Sequence, residues 1–139
     1  MTVKTLKINL NTKGNADIQD ITDQISQTVA ESGLNDGVVT VFTPSSTSGL
    51  TSIEYESGCL EDLRRLFDEI IDPARSYAHN ARWGDGNGHS HVRAALLGAS
   101  FSVPFVNRRL TLGTWQQIIL IDFDNRQRRR ELVVQLMGE

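Results

Sequence analysis

With 139 residues, 39% hydrophobic and 22% charged, the chain has the size and composition of one globular domain with a real core. Its net charge of −3 excludes a dedicated nucleic-acid binder, which presents a basic surface to phosphate. A single cysteine, Cys59, excludes an internal disulfide and fits a reducing cytoplasm, and no apolar run approaches the roughly 20 residues of a membrane span or forms a signal peptide.

Residues 3–10 alternate, with Leu6, Ile8 and Leu10 on one side and Thr5, Lys7 and Asn9 on the other, which predicts a half-buried strand. Asn11-Thr-Lys-Gly-Asn breaks it. Ile18, Ile21, Ile25 and Val29 fall at spacings of three and four and predict an amphipathic helix that stops at Gly33. Asn35-Asp36-Gly37 reads as a turn. Val38–Phe42 is a β-branched strand ended by Pro44, Ser45–Gly49 is a hydroxyl-rich loop, and Leu50–Tyr55 is a second alternating strand. Ser57 can cap a helix whose stripe is Leu60, Leu63, Leu66, Phe67, Ile70 and Ile71, closed by Pro73.

Tyr77–Leu97 holds all three histidines, an aspartate, two asparagines and a tryptophan among glycines. Its end, Val92–Leu97, predicts a short helix stopping at Gly98. Strands follow at Ser100–Val106, Arg109–Leu112, Gln117–Asp122 and Glu131–Met137, with turns at Asn107-Arg108 and Asn125-Arg126-Gln127. About seven strands and two main helices predict an α+β fold, a single domain over 1–139 with a mostly antiparallel sheet.

The chemistry concentrates in the histidine loop. Two residues apart on a helix point about 200° away from each other, whereas on an extended chain they share a side. His89 and His91 therefore converge on one ion only if Gly88–His91 is extended, which Gly84, Gly86 and Gly88 favour. His79 then supplies a third nitrogen. The expected metal set is His79, His89 and His91, suited to zinc, or to manganese, iron or nickel. Asp85 or Glu54 could orient a ligand, join the set or act as base. Histidines bonded only to backbone or to each other are the plain alternative.

Four hydroxyls in Ser45–Gly49, with Ser46 and Thr47 at their centre, suit phosphate; an ordinary solvated turn is the alternative, and no Walker loop is present. Trp115 reads as core, with Gln116 beside it able to meet a substrate ring. Arg126, Arg128, Arg129 and Arg130, flanked by Asp122, Asp124 and Glu131, read as a solvated hairpin turn with weak ion pairs in preference to a phosphate clamp. Cys59, at a helix start that lowers thiol pKa, reads as a small packed residue with no partner that would make it a nucleophile.

Tyr77-x-His79-Asn80, Asp85-Gly-Asn-Gly-His89-Ser-His91-Val-Arg93-Ala, Leu97-Gly-x-Ser100, Val103-Pro104, Leu112-Gly-Thr-Trp115-Gln116 and the final Gly138-Glu139 together resemble the YjbQ-like family, also called the secondary thiamine-phosphate synthase family. The likeness spans essentially the whole chain. It implies a compact α+β homotrimer with sites near subunit interfaces. It also implies a secondary activity, the joining of a pyrimidine diphosphate to a thiazole phosphate with release of pyrophosphate. The implied polar centre is His79, His89 and His91, with Glu54, Asn80, Asp85 and Gln116 around it. Many members carry histidine where this chain has Ser45, and glycine where it has Arg108 after Asn107.

Three functions follow. One is a metal-assisted transferase acting on phosphorylated heterocycles: zinc, or magnesium for a diphosphate, neutralises the leaving group, with Ser46, Thr47, Asn80 and Arg93 or Arg82 on phosphate and Trp83 or Trp115 on a ring. The catalytic set would be Glu54, Asp85, His89 and Gln116. The second is a zinc hydrolase with Glu54 or Asp85 as base; the third is a non-catalytic homotrimer that binds a metal or small ligand.

Overall fold

The computed structural model describes Met1–Glu139 as eight strands in two antiparallel sheets with four helices. In chain order the elements are β1 (Thr2–Thr12), β2 (Asp17–Asp20), α1 (Thr22–Glu31), β3 (Gly37–Phe42), β4 (Ser48–Ile53), α2 (Ser57–Ile70), α3 (Ala78–Trp83), α4 (Gly88–Leu97), β5 (Ser100–Val106), β6 (Arg109–Leu110), β7 (Gln117–Asp122) and β8 (Arg128–Gly138). The larger sheet runs β1-β8-β3-β5-β6 and the smaller β2-β7-β4. No helix is long and apolar enough to cross a membrane.

Strand β7 explains the layering. Its run Ile118-Ile119-Leu120-Ile121 is buried on both faces, as an apolar run without alternation requires. Ile118 and Leu120 pack with Val39, Val134, Leu136 and Phe105 of the larger sheet, with Ile21 just before α1, and with Ile25 and Val29 of α1. Ile119 and Ile121 pack on the other side with Leu60, Phe67 and Ile71 and with Ala94 of α4. The layers are therefore larger sheet, smaller sheet, then α2 and α4. Phe67 meets Phe123 edge-on at 4.8 Å between ring centroids.

Several predicted elements shift. Ile18 belongs to β2, where it pairs with Ile121, and the helix begins only at Thr22. Asp20 accepts hydrogen bonds from the backbone N–H and hydroxyl of Thr22 and so separates the two elements. The cap of α2 is Glu56, not Ser57: its carboxylate accepts from the N–H groups of Gly58 and Cys59. That carboxylate occupies the helix terminus that would have acidified Cys59. Burial, then Glu56 with Glu54 and Asp62, instead raises the thiol pKa. The Asn107-Arg108 turn has φ of 50° and 63°, so it is left-handed at both residues, not the type I turn that would suit Arg108.

The largest correction concerns the histidine loop, which is two helices. Helix α3 lacks an apolar stripe and buries no residue, which hides it from periodicity. It ends at Gly84, whose φ of 67° provides a left-handed stop. Helix α4 starts at Gly88, so His89-Ser90-His91 is helical, not extended. The start is set by side chains: Asn80 Oδ1 accepts from Gly88 N–H at 2.8 Å and Asp85 Oδ1 from Asn87 N–H at 3.2 Å. Gly88 is required there, since a Cβ would lie 2.5 Å from Cβ of Tyr77.

Candidate metal centre and its polar cavity

Because α4 is helical, His89 and His91 leave it in different directions. His91 turns toward α3. Its ring centroid lies 4.5 Å from that of His79, and His79 Nε2 lies 3.1 Å from Asp85 Oδ2. One potential ligand atom from each of His79, Asp85 and His91 falls within 4.8 Å of the other two. His89 is not in this group. It is 7% exposed and packs toward Tyr77, with ring centroids 6.3 Å apart. Its Nε2 is 3.4 Å from the Ser90 hydroxyl, and its Nδ1 has no partner. Burial, and then the Arg93 cation, push its pKa below the ordinary imidazole value.

The orientation of His91 is fixed from behind. Its Nδ1 is 3.2 Å from the Ser46 carbonyl, which can only accept, so the proton sits on Nδ1 in the neutral ring and Nε2 keeps its lone pair. Asp85 is held by its turn: Asn125 Nδ2 donates to the Asp85 carbonyl at 2.7 Å, and Asn125 N–H donates to Asn87 Oδ1 at 3.1 Å. The His79 hydrogen bond, joined by the Asn87 N–H, holds the Asp85 carboxyl below its usual pKa. Two imidazoles and an ionised carboxylate are a donor set for zinc or ferrous iron, and a softer one than magnesium selects.

Beside this group opens a cavity of about 420 Å³ whose wall, apart from the ring of Pro44, is wholly polar: Ser45, Ser46, Thr47, Asp85, Asn87, His91, Asp124, Arg128 and Arg130. Its floor is a buried ionic network. Arg130 grips Asp122 through Nε at 2.7 Å and Nη2 at 3.0 Å, with Asp122 fully buried, and Thr12 donates to Asp122 at 2.6 Å. Arg130 also donates to the Thr47 hydroxyl at 2.7 Å, and that hydroxyl donates to Asp124 Oδ2 at 3.0 Å. Burial raises the Asp124 pKa, but hydrogen bonds from Thr47 and Asn87 and the Arg128 cation outweigh it and leave the carboxyl below its usual value. Arg128 Nε lies 3.1 Å from Asp124 Oδ2 as an ion pair, and the Arg128 side chain stays 34% exposed at the cavity wall.

The solvated reading of the arginine turn therefore holds for Arg126 and Arg129, which are exposed, and fails for Arg128 and Arg130. The signal was there: β8 begins at Arg128, and its alternation sends Arg128 and Arg130 the same way.

Other predicted site residues serve different ends. Asn80 holds the start of α4. Arg93 is 3% exposed and donates Nε and Nη2 to the Ile71 carbonyl, at 3.1 and 2.9 Å, closing α2, with Nη2 also on Asp68 at 3.0 Å. It is not free for phosphate. Thr47 is locked in the ionic floor, whereas Ser46 is exposed. Glu54, Trp115 and Gln116 stand far away. Ser48 and Asp122 are paired at the histidine end of β4 and β7, while Ile53 and Gln117 pair at the other end, where Glu54 and Trp115 line a separate cavity. Trp115 is 71% exposed, not core, and Gln116 Oε1 accepts from Gly113 N–H.

The family described as UPF0047 protein YjbQ-like matches residues 6–139. A UPF0047 protein of Methanothermobacter thermautotrophicus is 38% identical, covering 94% of this chain and 90% of its own length. YugU of Bacillus subtilis is 33% identical over 98% of this chain and 99% of its own. Among solved structures, a YbjQ-like protein of Sulfolobus solfataricus superposes with a TM-score of 0.89 at 33% identity, covering 99% of this chain and 100% of that one. A YjbQ/UPF0047 protein of Clostridium acetobutylicum gives 0.87 at 32%, covering 95% and 99%. Over nearly its whole length, then, the chain belongs to the YjbQ-like UPF0047 family.

Proposed function

We propose that the chain is a metal-assisted enzyme acting on a phosphorylated small molecule, with His79, Asp85 and His91 as metal ligands. The observation that carries this reading is the convergence of the three side chains at the edge of a polar cavity that also contains Arg128. A bound zinc ion would supply Lewis acidity toward a phosphoryl oxygen. Arg128, partly exposed in the cavity wall, offers its cation to the same phosphate, Ser46 keeps His91 in the tautomer that leaves Nε2 open, and Asn125 with Asn87 holds the Asp85 turn. The reaction favoured by the resemblance is transfer of the pyrimidine group of a pyrimidine diphosphate onto a thiazole phosphate, with pyrophosphate as the leaving group.

Trimerisation is part of this proposal. Glu54, Trp115 and Gln116 lie across the length of β4 and β7 from the histidines, and only a neighbouring copy could bring such residues to this cavity. The test is metal content and thiamine-phosphate formation by wild type, His79→Ala, Asp85→Ala and His91→Ala, with mass in solution measured alongside. Metal and product in the wild type, both lost in the variants, support the reading. Metal with hydrolysis of phosphate esters but no transfer selects the zinc hydrolase instead, and a trimer that retains metal without turnover selects the binding protein.

A further inference from the structure

His91 borders two cavities, not one. On the side away from the ionic floor lies a slot of about 370 Å³ walled by Ser45, Ser46 and Ser48 and by Ala94, Ala95, Gly98 and Ala99. Along α4, His91, Ala94, Ala95 and Gly98 follow spacings of three, four and seven, so one face of the helix carries the imidazole and then nothing larger than a methyl group. Apart from the exposed Ser46 hydroxyl and His91 itself, the polar groups around the slot are already satisfied. Ser48 Oγ is bonded to Thr43 Oγ1 at 2.8 Å, Ser45 Oγ accepts from Thr47 N–H, and the Gly98 and Ala99 carbonyls accept from Leu50 and Thr43 N–H. The slot thus has little to offer a polar ligand, in contrast to the cavity on the other side of the same imidazole.

We infer that this slot receives the compact apolar or aromatic part of the molecule whose oxyanion end sits at His79, Asp85 and His91. The inference rests on the metal-centre reading and adds the substrate class: an anionic head joined directly to a small, unbranched hydrophobic group. Size agrees, since an apolar cavity of about 150 Å³ already admits benzene. Adjacency agrees as well, because Ser45, Ser46 and His91 line both spaces, so the two meet along one loop and one imidazole.

The test uses the zinc-loaded protein and two zinc-binding probes, acetohydroxamate and benzohydroxamate, which differ only in the group beyond the chelating head. Benzohydroxamate should bind at least about tenfold more tightly, a factor that burial of about two methylene equivalents supplies. Ala95→Leu, which fills the slot from α4, should erase that preference while leaving zinc uptake and acetohydroxamate affinity unchanged. Ala99→Val repeats the test from beyond the helix and decides the matter if Ala95→Leu does not fold. Equal affinities in the wild type, or a preference that survives both variants, would overturn the inference while the metal centre stands. Failure to take up zinc at all would overturn the metal-centre reading, and the slot assignment with it.

Discussion

The Nδ1 of His91 sits 3.2 Å from the carbonyl oxygen of Ser46. This contact joins the first turn of α4 to the loop before β4, and it fixes the ring nitrogen that faces His79 and Asp85. The same loop forms the wall shared by the polar cavity and the apolar slot.

Replacing His89 separates structure from ligation. His89→Ala removes a buried ring outside the His79, Asp85 and His91 group and should lower stability by about 1–3 kcal/mol, the range for truncating a buried side chain that lacks good partners. It should leave metal uptake intact. Chemical denaturation together with metal analysis checks both expectations.

Arg93 is a structural cation. Arg93→Ala strips two hydrogen bonds from the Ile71 carbonyl at the end of α2 and should cost about 2–4 kcal/mol. Asp68, 65% exposed at its side chain, is a weak partner, and Asp68→Asn should cost less than about 1 kcal/mol. Equal losses in urea unfolding would mean that the ion pair, not the helix closure, is what Arg93 supplies.

The histidine loop shows what sequence can and cannot yield here. The strands β3, β5 and β7 and helix α2 were legible, because each buries one face or a continuous run and so leaves its period in the residues; β1 keeps the alternation although only its end, Ile8 to Thr12, is covered. Helix α3 was not, because it buries nothing. The helical start of α4 was hidden because it is imposed by Asn80 and Asp85 from outside the helix, while glycine next to His-Ser-His reads as extended chain. That single misreading grouped His89 with His79 and His91, where the structure brings Asp85 together with them. The buried ionic floor was missed for another reason: charges beside a turn are usually solvated, and although alternation puts Arg128 and Arg130 on one side of β8, only the ion pair from Arg130 to Asp122 of β7 shows that this side faces inward.

Acid should weaken the fold through Asp124. A carboxyl held below its unfolded value contributes stability that is complete above the unfolded pKa, near 3.9, and is lost as pH falls through the folded value. Unfolding free energy should therefore decline below about pH 4, and Asp124→Asn should flatten that decline. An unchanged acid slope in the variant would assign the loss to other carboxylates.

The left-handed turn carries removable strain. Arg108 has φ of 63° and gains a hydrogen bond from its Nε to Asn35 Oδ1 at 3.0 Å. Asn-Gly is the favoured pair for a turn with both central residues left-handed. Arg108→Gly should relieve about 1–2 kcal/mol of backbone strain against the loss of one exposed bond, for a net gain of about 0.5–1 kcal/mol. A thermal midpoint that falls would show that the side-chain bond outweighs the strain.

The most direct test is the zinc content of the purified, untagged protein after reconstitution, compared with Asp85→Ala and His89→Ala. Near-stoichiometric zinc in the wild type, lost on replacing Asp85 and kept on replacing His89, is the predicted result. Zinc that survives Asp85→Ala but disappears with a folded His89→Ala, or no zinc in the wild type, would contradict the assignment of His79, Asp85 and His91.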